Sequence, residues 1–295
     1  MTAIRRVGVL GSGLMGSGIA QVAATAGFEV IARDLEEAQL ARARKTIEQS
    51  LAKFVEKGKL DAAARDAALG RIRFTTELEA LAGTDLIIEA VTEDLEIKNL
   101  LWTALDSICP PATLFASNTS SLSIMAMATV TGRPDRFVGL HFFNPVPLMP
   151  LVEVVRTVAS SREAVEVATG FARRLGKEPI AAKDSAGFIV NLLLIPYLLD
   201  AIRAVERGVA SVADIDTGMK LGCGHPMGPL TLLDFVGLDT SLKVGEILYE
   251  EFREARYAPP PLLRRMVLAG WYGKKSGKGF YDWSVTPPVP VELGL

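Results

Sequence analysis

Cysteine and histidine are nearly missing from this chain, which has two of each: Cys109, Cys223, His141 and His225. Two thiols cannot build a disulfide framework, and they lack metal-site spacing, so both are expected to be buried thiols. With only two histidines, a histidine-rich metal centre is excluded, and no metal ligand is assigned. An excess of charge is missing too. Lys and Arg number 32 against 34 Asp and Glu, a net charge of −2, which argues against a nucleic-acid partner held by many phosphate contacts. No apolar run is long enough to span a bilayer. The most apolar stretch, Ala186 to Leu199, is interrupted by Asn191 and reads as a buried helix. No apolar leader precedes the first strand, so the expectation is a soluble, cytoplasmic protein with no membrane partner.

What is present is ordinary in amount and specific in pattern. The 295 residues, 49% hydrophobic and 22% charged, suffice for two domains with large cores. Near the start, the apolar run Val7 to Leu10 reads as a buried parallel strand. It stops at Gly11-Ser12-Gly13, and a helical pattern follows from Leu14, Met15 and Gly16 to Gly27. A G-x-G-x-x-G run between strand and helix is a dinucleotide-binding fingerprint. Gly11 permits the tight turn, Gly13 lets a pyrophosphate approach the backbone, and Gly16 lets helix and strand pack closely. The helix N-terminus then offers free N–H groups to the phosphates. A second strand, Glu29 to Ala32, ends at Asp34, roughly 20 positions after the glycines, where a carboxylate accepts from a ribose hydroxyl. That charge favours NAD over NADP, a preference that the neighbouring Arg33 weakens slightly.

Helical stretches at Glu36 to Lys57, Asp61 to Leu69, Glu93 to Asp106 and Arg162 to Leu175 alternate with strand candidates. The strands are Arg71 to Thr75, Asp85 to Ala90, Thr113 to Ser117, Phe137 to His141, Leu151 to Val155 and Lys177 to Ala182. This alternation predicts an α/β fold: a Rossmann-type, doubly wound, mostly parallel sheet over residues 1–183. After Lys183 the strand signal fades. One long helix, Gly187 to Arg207, and several more predict an all-α domain over 184–283, which leaves 284–295 as a Pro-rich extended or mobile tail. The apolar surface of the long helix exceeds what one small domain hides, which suggests a homodimer formed through the α-domain.

An enzyme that oxidises an alcohol with NAD needs a base, an orienter for that base and donors for the oxygen, at the carboxyl ends of strands. His141 ends the strand Phe137 to Leu140, and that position favours a base over a structural role. Glu153 lies inside the apolar run Leu151 to Val155, where a carboxylate is costly unless paired. Pairing with His141 would fix the tautomer and stabilise the imidazolium; a solvated edge glutamate is the other reading. Ser117-Asn118-Thr119-Ser120-Ser121 follows a strand, and either caps a helix or supplies a hydroxyl to a substrate oxygen. Asn191 needs partners for its amide, either in an interdomain cleft or on a neighbouring helix.

With these residues in hand, the chain resembles the L-3-hydroxyacyl-CoA dehydrogenase family, and within it the short bacterial 3-hydroxybutyryl-CoA dehydrogenases. The likeness runs from about residue 4 to 283 through the glycine loop, Ser117 to Leu122, His141 to Val146, Asp184 to Asn191, Gly222 to Pro229 and Gly273 to Tyr281. It implies NAD-dependent interconversion of (S)-3-hydroxyacyl-CoA and 3-oxoacyl-CoA, with His141 as general base, Glu153 as its partner, and Ser120 and Asn191 bonded to the substrate oxygen. For NAD it implies the glycine loop (Gly11, Gly13, Leu14, Met15 and Gly16) together with Asp34, Glu93, Lys98, Ser120, Asn144 and Lys275. By analogy Ser50 and Lys57 contact the CoA moiety, although their helix also reads as an ordinary solvated one. One departure is visible: Leu192 stands where the family often has arginine, which bears on a local ion pair or the dimer contact. The length leaves no room for a hydratase domain. The same fold acting on a free hydroxy or sugar acid, and an idle NAD-binding protein, remain as competing readings.

Overall fold

The computed structural model describes residues 4–294. It divides into two compact units that part between Phe188 and Ile189.

The first unit is built on eight strands: β1 (Arg6–Leu10), β2 (Glu29–Arg33), β3 (Ile72–Thr75), β4 (Leu86–Glu89), β5 (Leu114–Ser117), β6 (Phe137–Phe142), β7 (Leu151–Arg156) and β8 (Glu178–Lys183). Their order in the sheet is β3-β2-β1-β4-β5-β6-β7-β8. Every neighbouring pair is parallel except β6 with β7, which is antiparallel. The helices are α1 (Leu14–Thr25), α2 (Glu37–Glu56), α3 (Ala62–Gly70), α4 (Leu95–Ile108), α5 (Ile124–Ala128) and α6 (Arg162–Arg174). A sheet covered on both faces needs strands that are apolar at every position, and β4 is buried throughout. Its side chains alternate between two cores. Leu86 and Ile88 join Val7, Val9, Val30 and Ile19 in one, and Ile87 joins Leu10, Trp102, Phe115 and Phe137 in the other. The predicted doubly wound, mostly parallel sheet is therefore present.

One of two alternative readings falls away, and one expectation needs correction. No helix starts within Ser117 to Ser121. The cap belongs to Ser123, whose hydroxyl accepts from Ala126 N at the start of α5. That helix is too short for its period to stand out in the sequence. The long helix predicted from Gly187 begins instead at Val190, because Gly187 and Phe188 both have positive φ, +74° and +47°, which ends any right-handed helix at that point. The residues after β8 stay with the first unit through side-chain bonds. The Asp184 carboxylate accepts from Ile124 N and Met125 N at 2.9 and 2.7 Å, at the head of α5.

The second unit is helical: α7 (Val190–Glu206), α8 (Val212–Cys223), α9 (Pro229–Val236), α10 (Leu238–Phe252) and α11 (Pro261–Leu268). Two buried aspartates that no sequence motif marks lock its loops. Asp216 accepts from Leu230 N, Thr231 N and the Tyr281 hydroxyl at 2.8–2.9 Å. Asp234 accepts from Phe280 N, Tyr281 N and Trp283 Nε1. A short antiparallel pair, β9 (Tyr281–Asp282) with β10 (Val289–Pro290), fastens the extended tail; Leu295 lies outside the described residues. No helix of the described residues is long and apolar enough to cross a membrane.

Candidate active site

One edge of the sheet collects the polar residues. Here β1, β2, β4, β5 and β6 end, at Leu10, Arg33, Glu89, Ser117 and Phe142. An open parallel sheet places its ligand crevice at this edge.

The turn after β1 has the form that an anion site requires. Gly11 has φ +82°, and a Cβ on it would lie 2.6 Å from the Ala90 carbonyl oxygen. A Cβ on Gly16 would sit 1.7 Å from the Gly11 carbonyl oxygen, so only glycine lets α1 begin here. A Cβ on Gly13 would meet nothing within 4 Å, so that side of the loop is open. No side chain caps α1 and its first turn holds no acid. The head of α1 thus keeps its positive dipole end and first-turn N–H groups without a side-chain cap, next to an open glycine, which fits a pyrophosphate. At the end of β2, Asp34 Oδ2 accepts from Ser12 N (2.6 Å) and the Ser12 hydroxyl (2.8 Å), and Oδ1 accepts from Leu35 N. Burial alone raises the carboxyl's pKa, but these hydrogen bonds outweigh it and hold the group below its ordinary range. The expected glycine loop, Leu14, Met15 and the acid thus share one corner.

Next to it lies a charge network of which only part was expected. Glu89, missed in the sequence, ends the apolar run of β4 and is fully buried. Its Oε1 is 2.5 Å from Lys98 Nζ, and its Oε2 accepts from the Ser117 hydroxyl at 2.6 Å. The signal for it was an acid closing a run of buried aliphatics, the same cue that singled out Glu153. Lys98 also lies 3.2 Å from Glu93 Oε2. The other oxygen of Glu93 accepts from the Thr119 hydroxyl and, at 3.2 Å, from Ser120 N. Lys98 is thus a buried counter-ion for two glutamates, and through Glu93 it is linked to the Ser120 loop.

His141 and Glu153 are Cα partners in the β6–β7 register. His141 Nδ1 is 2.6 Å from Glu153 Oε2. Glu153 is fully buried and His141 is 6% exposed. The rings of Phe143 and Phe188 lie 4.5 and 5.7 Å from the imidazole. Asn118, part of the polar cluster after β5 but given no role of its own by the sequence, accepts from Phe142 N through Oδ1 at 2.9 Å and so ties the end of β6 to the Ser120 segment.

Asn144 follows on the exposed loop after β6 and lines a cavity of about 230 Å³. Ser50 and Lys57 line the same cavity, which α1 and α2 also border, and Lys53 and Lys59 lie on it as well. The remaining two expected residues belong to the second unit. Asn191 is the second residue of α7, and Lys275 Nζ pairs with the Asp239 carboxylate at 2.7 Å. Among the described residues no cluster of three or more His, Cys, Asp or Glu is placed to hold a metal.

Comparison with known proteins gives one family for both halves of the chain. Residues 6–185 match the model of the 3-hydroxyacyl-CoA dehydrogenase NAD-binding domain, and residues 187–283 match that of the same family's C-terminal domain. The chain is 50% identical over 278 residues to a probable 3-hydroxybutyryl-CoA dehydrogenase of Deinococcus radiodurans, covering 94% of this chain and 100% of the relative. It is 50% identical over 283 residues to 3-hydroxybutyryl-CoA dehydrogenase of Mycobacterium tuberculosis, covering 95% and 99%. The crystal structure of (S)-3-hydroxybutyryl-CoA dehydrogenase from Ralstonia eutropha superposes with a TM-score of 0.92 at 44% identity, covering 96% and 100% of the two chains. Both halves match in order and over nearly their full length, and the chain belongs to the 3-hydroxyacyl-CoA dehydrogenase family.

Proposed function

We propose that this protein interconverts (S)-3-hydroxyacyl-CoA and 3-oxoacyl-CoA with NAD, and that the His141–Glu153 pair handles the proton. The observation that carries the reading is the buried 2.6 Å contact between the two side chains at the ligand edge of the sheet. With Nδ1 held by Glu153, Nε2 of His141 is left to take the proton of a 3-hydroxyl group, and the nearby carboxylate stabilises the imidazolium that results. Bound NAD⁺ supplies the hydride acceptor. In the reverse direction the same imidazolium returns the proton to the oxygen. Ser120 and Asn191 are assigned to that oxygen as hydrogen-bond donors.

The dinucleotide reading is supported by the uncapped head of α1, the open side of Gly13 and the acid at Asp34. Glu93, Asn144 and Lys275 complete the proposed NAD contacts. Lys98 acts with them through its ion pairs with Glu89 and Glu93. The cavity carrying Ser50 and Lys57 is assigned to the CoA end of the substrate, since its edge of lysines suits phosphate groups. Leu193, Leu221, Phe235 and Leu268 leave apolar surface exposed on the second unit, which supports a homodimer formed through that unit.

Initial rates of NADH consumption with acetoacetyl-CoA, run beside NADPH and beside free acetoacetate, test the reading. Turnover with NADH and the thioester alone is the expected result. Turnover of the free acid alone would assign the site to a hydroxy acid instead, and NADH binding without turnover of any substrate would make the chain an idle binding protein.

A further inference from the structure

Lys177 is buried at a cost that the chemistry of the His–Glu pair does not account for. It follows Gly176, whose φ of +73° closes α6, and it directly precedes β8. Its ammonium donates to the Val146 carbonyl at 2.6 Å and the Met149 carbonyl at 2.7 Å. Lys98 and Lys275 pair with carboxylates, whereas Lys177 has no such partner among the described residues. Removing a charged amine from water without a counter-ion is expensive, and burial holds this one below the ordinary lysine range.

Both acceptors lie on the 143–150 loop, which joins β6 to β7 and so connects His141 to Glu153. From the other side α1 grips the same loop: a Cβ on Gly18 would lie 2.8 Å from Val146 Cβ. The loop also forms one wall of the lysine-edged cavity, through Asn144, Val146, Pro147 and Leu148. A segment in irregular conformation is thus pinned between a glycine and a buried ammonium, and its outer face borders the cavity.

We propose that Lys177 is a positioning residue that fixes the 143–150 loop as a wall of this cavity and thereby sets the affinity for the phosphate-bearing end of an acyl thioester. The proposal rests on the assignment of the cavity to CoA made above.

Steady-state kinetics of the full chain with saturating NADH test it on two substrates. One is acetoacetyl-CoA. The other is the acetoacetyl thioester of N-acetylcysteamine, which has the reacting group but no phosphates. Lys177→Met is expected to raise KM for the CoA thioester about tenfold, to leave kcat within about twofold, and to leave kcat/KM for the truncated thioester unchanged. Lys177→Arg, which keeps the charge and several donors, is expected to restore most of the lost affinity. An equal loss on both thioesters, or a lower Tm with KM unchanged, overturns the proposal. If Lys177→Met does not fold, Lys177→Gln takes its place under the same criteria. Lys57→Ala examines the cavity separately. If it raises KM for CoA alone while Lys177→Met does not, only the Lys177 proposal falls. If Lys57→Ala leaves KM for CoA unchanged, the cavity assignment falls and takes this proposal with it.

Discussion

Nδ1 of His141 lies 2.6 Å from Oε2 of Glu153 across the antiparallel β6–β7 pair of an otherwise parallel sheet. Directly opposed residues on antiparallel strands have their Cβ atoms about 4.5–5.5 Å apart, on one face of the sheet. Register alone therefore brings the two side chains together, with no loop needed to position either. His141→Gln is expected to lower kcat by about 10²–10⁴-fold while leaving the Kd for NADH nearly unchanged. Glu153→Gln should act in the same direction, because the imidazole loses the anion that orients it. A near-normal kcat in His141→Gln would remove His141 as the base.

Asp34 sits where ribose recognition and loop stability meet. Asp34→Ala removes the acceptor for Ser12 N and its hydroxyl, and NADH affinity should fall about tenfold. Fluorescence titration with NADH and with NADPH measures this, and unaltered NADH affinity would take Asp34 off the ribose. The carboxyl also has a pH signature. Its folded pKa lies below the ordinary 3.8, so its stabilisation is complete above that value and is lost as pH falls through the folded one. The stability difference between wild type and Asp34→Asn should therefore vanish below the folded pKa in acid unfolding.

Lys98 neutralises two glutamates inside the fold. Lys98→Met leaves Glu89 buried without its cation, a change expected to cost about 3–5 kcal/mol in urea unfolding. Adding Glu89→Gln should recover part of that loss. Equal stability of Lys98→Met and wild type would show that the network contributes little.

The two thiols should behave differently. Cys109 is buried and its pKa is pushed up to about 11, mainly by loss of solvation, whereas Cys223 is exposed. At pH 8 a thiol reagent should label one cysteine quickly in the native protein and both in denaturant. Fast labelling of Cys109 in the native state would contradict the packing described around it. The scarcity and spacing of cysteine predict two buried thiols. Exposure of Cys223 corrects this expectation, because that residue ends α8 at the left-handed Gly224, on the surface.

A dimer formed through the second unit predicts that wild type sediments at twice the chain mass. It also predicts that Leu193→Lys, placed on an α7 residue that is 63% exposed, shifts it toward monomer. Sedimentation of wild type at the monomer mass would rule the dimer out.

Much of this was legible in the sequence because it is local. The glycine loop shows in one stretch since each glycine answers a contact within the strand–turn–helix unit: Gly16 against Gly11, and Gly11 against the end of β4. The β4 run, L-I-I-E, reveals a strand buried on both faces by its composition alone. The limits of α7 were not legible from apolar content, since Gly187 and Phe188 carry the pattern of the helix but not its backbone.

By itself, then, the sequence determined the class of fold, the dinucleotide corner and the candidate His–Glu pair, through period, turn chemistry and the cost of burying an acid. Tertiary structure alone decided which groups satisfy one another. Glu89 with Lys98, Asn118 with Phe142 and Lys177 with the 143–150 loop join residues 9, 24 and 28–31 positions apart. The physical reason is that a buried charge or amide is cheap only beside its partner. A one-dimensional pattern reveals the need for such a partner, and only the folded chain shows which residue meets it.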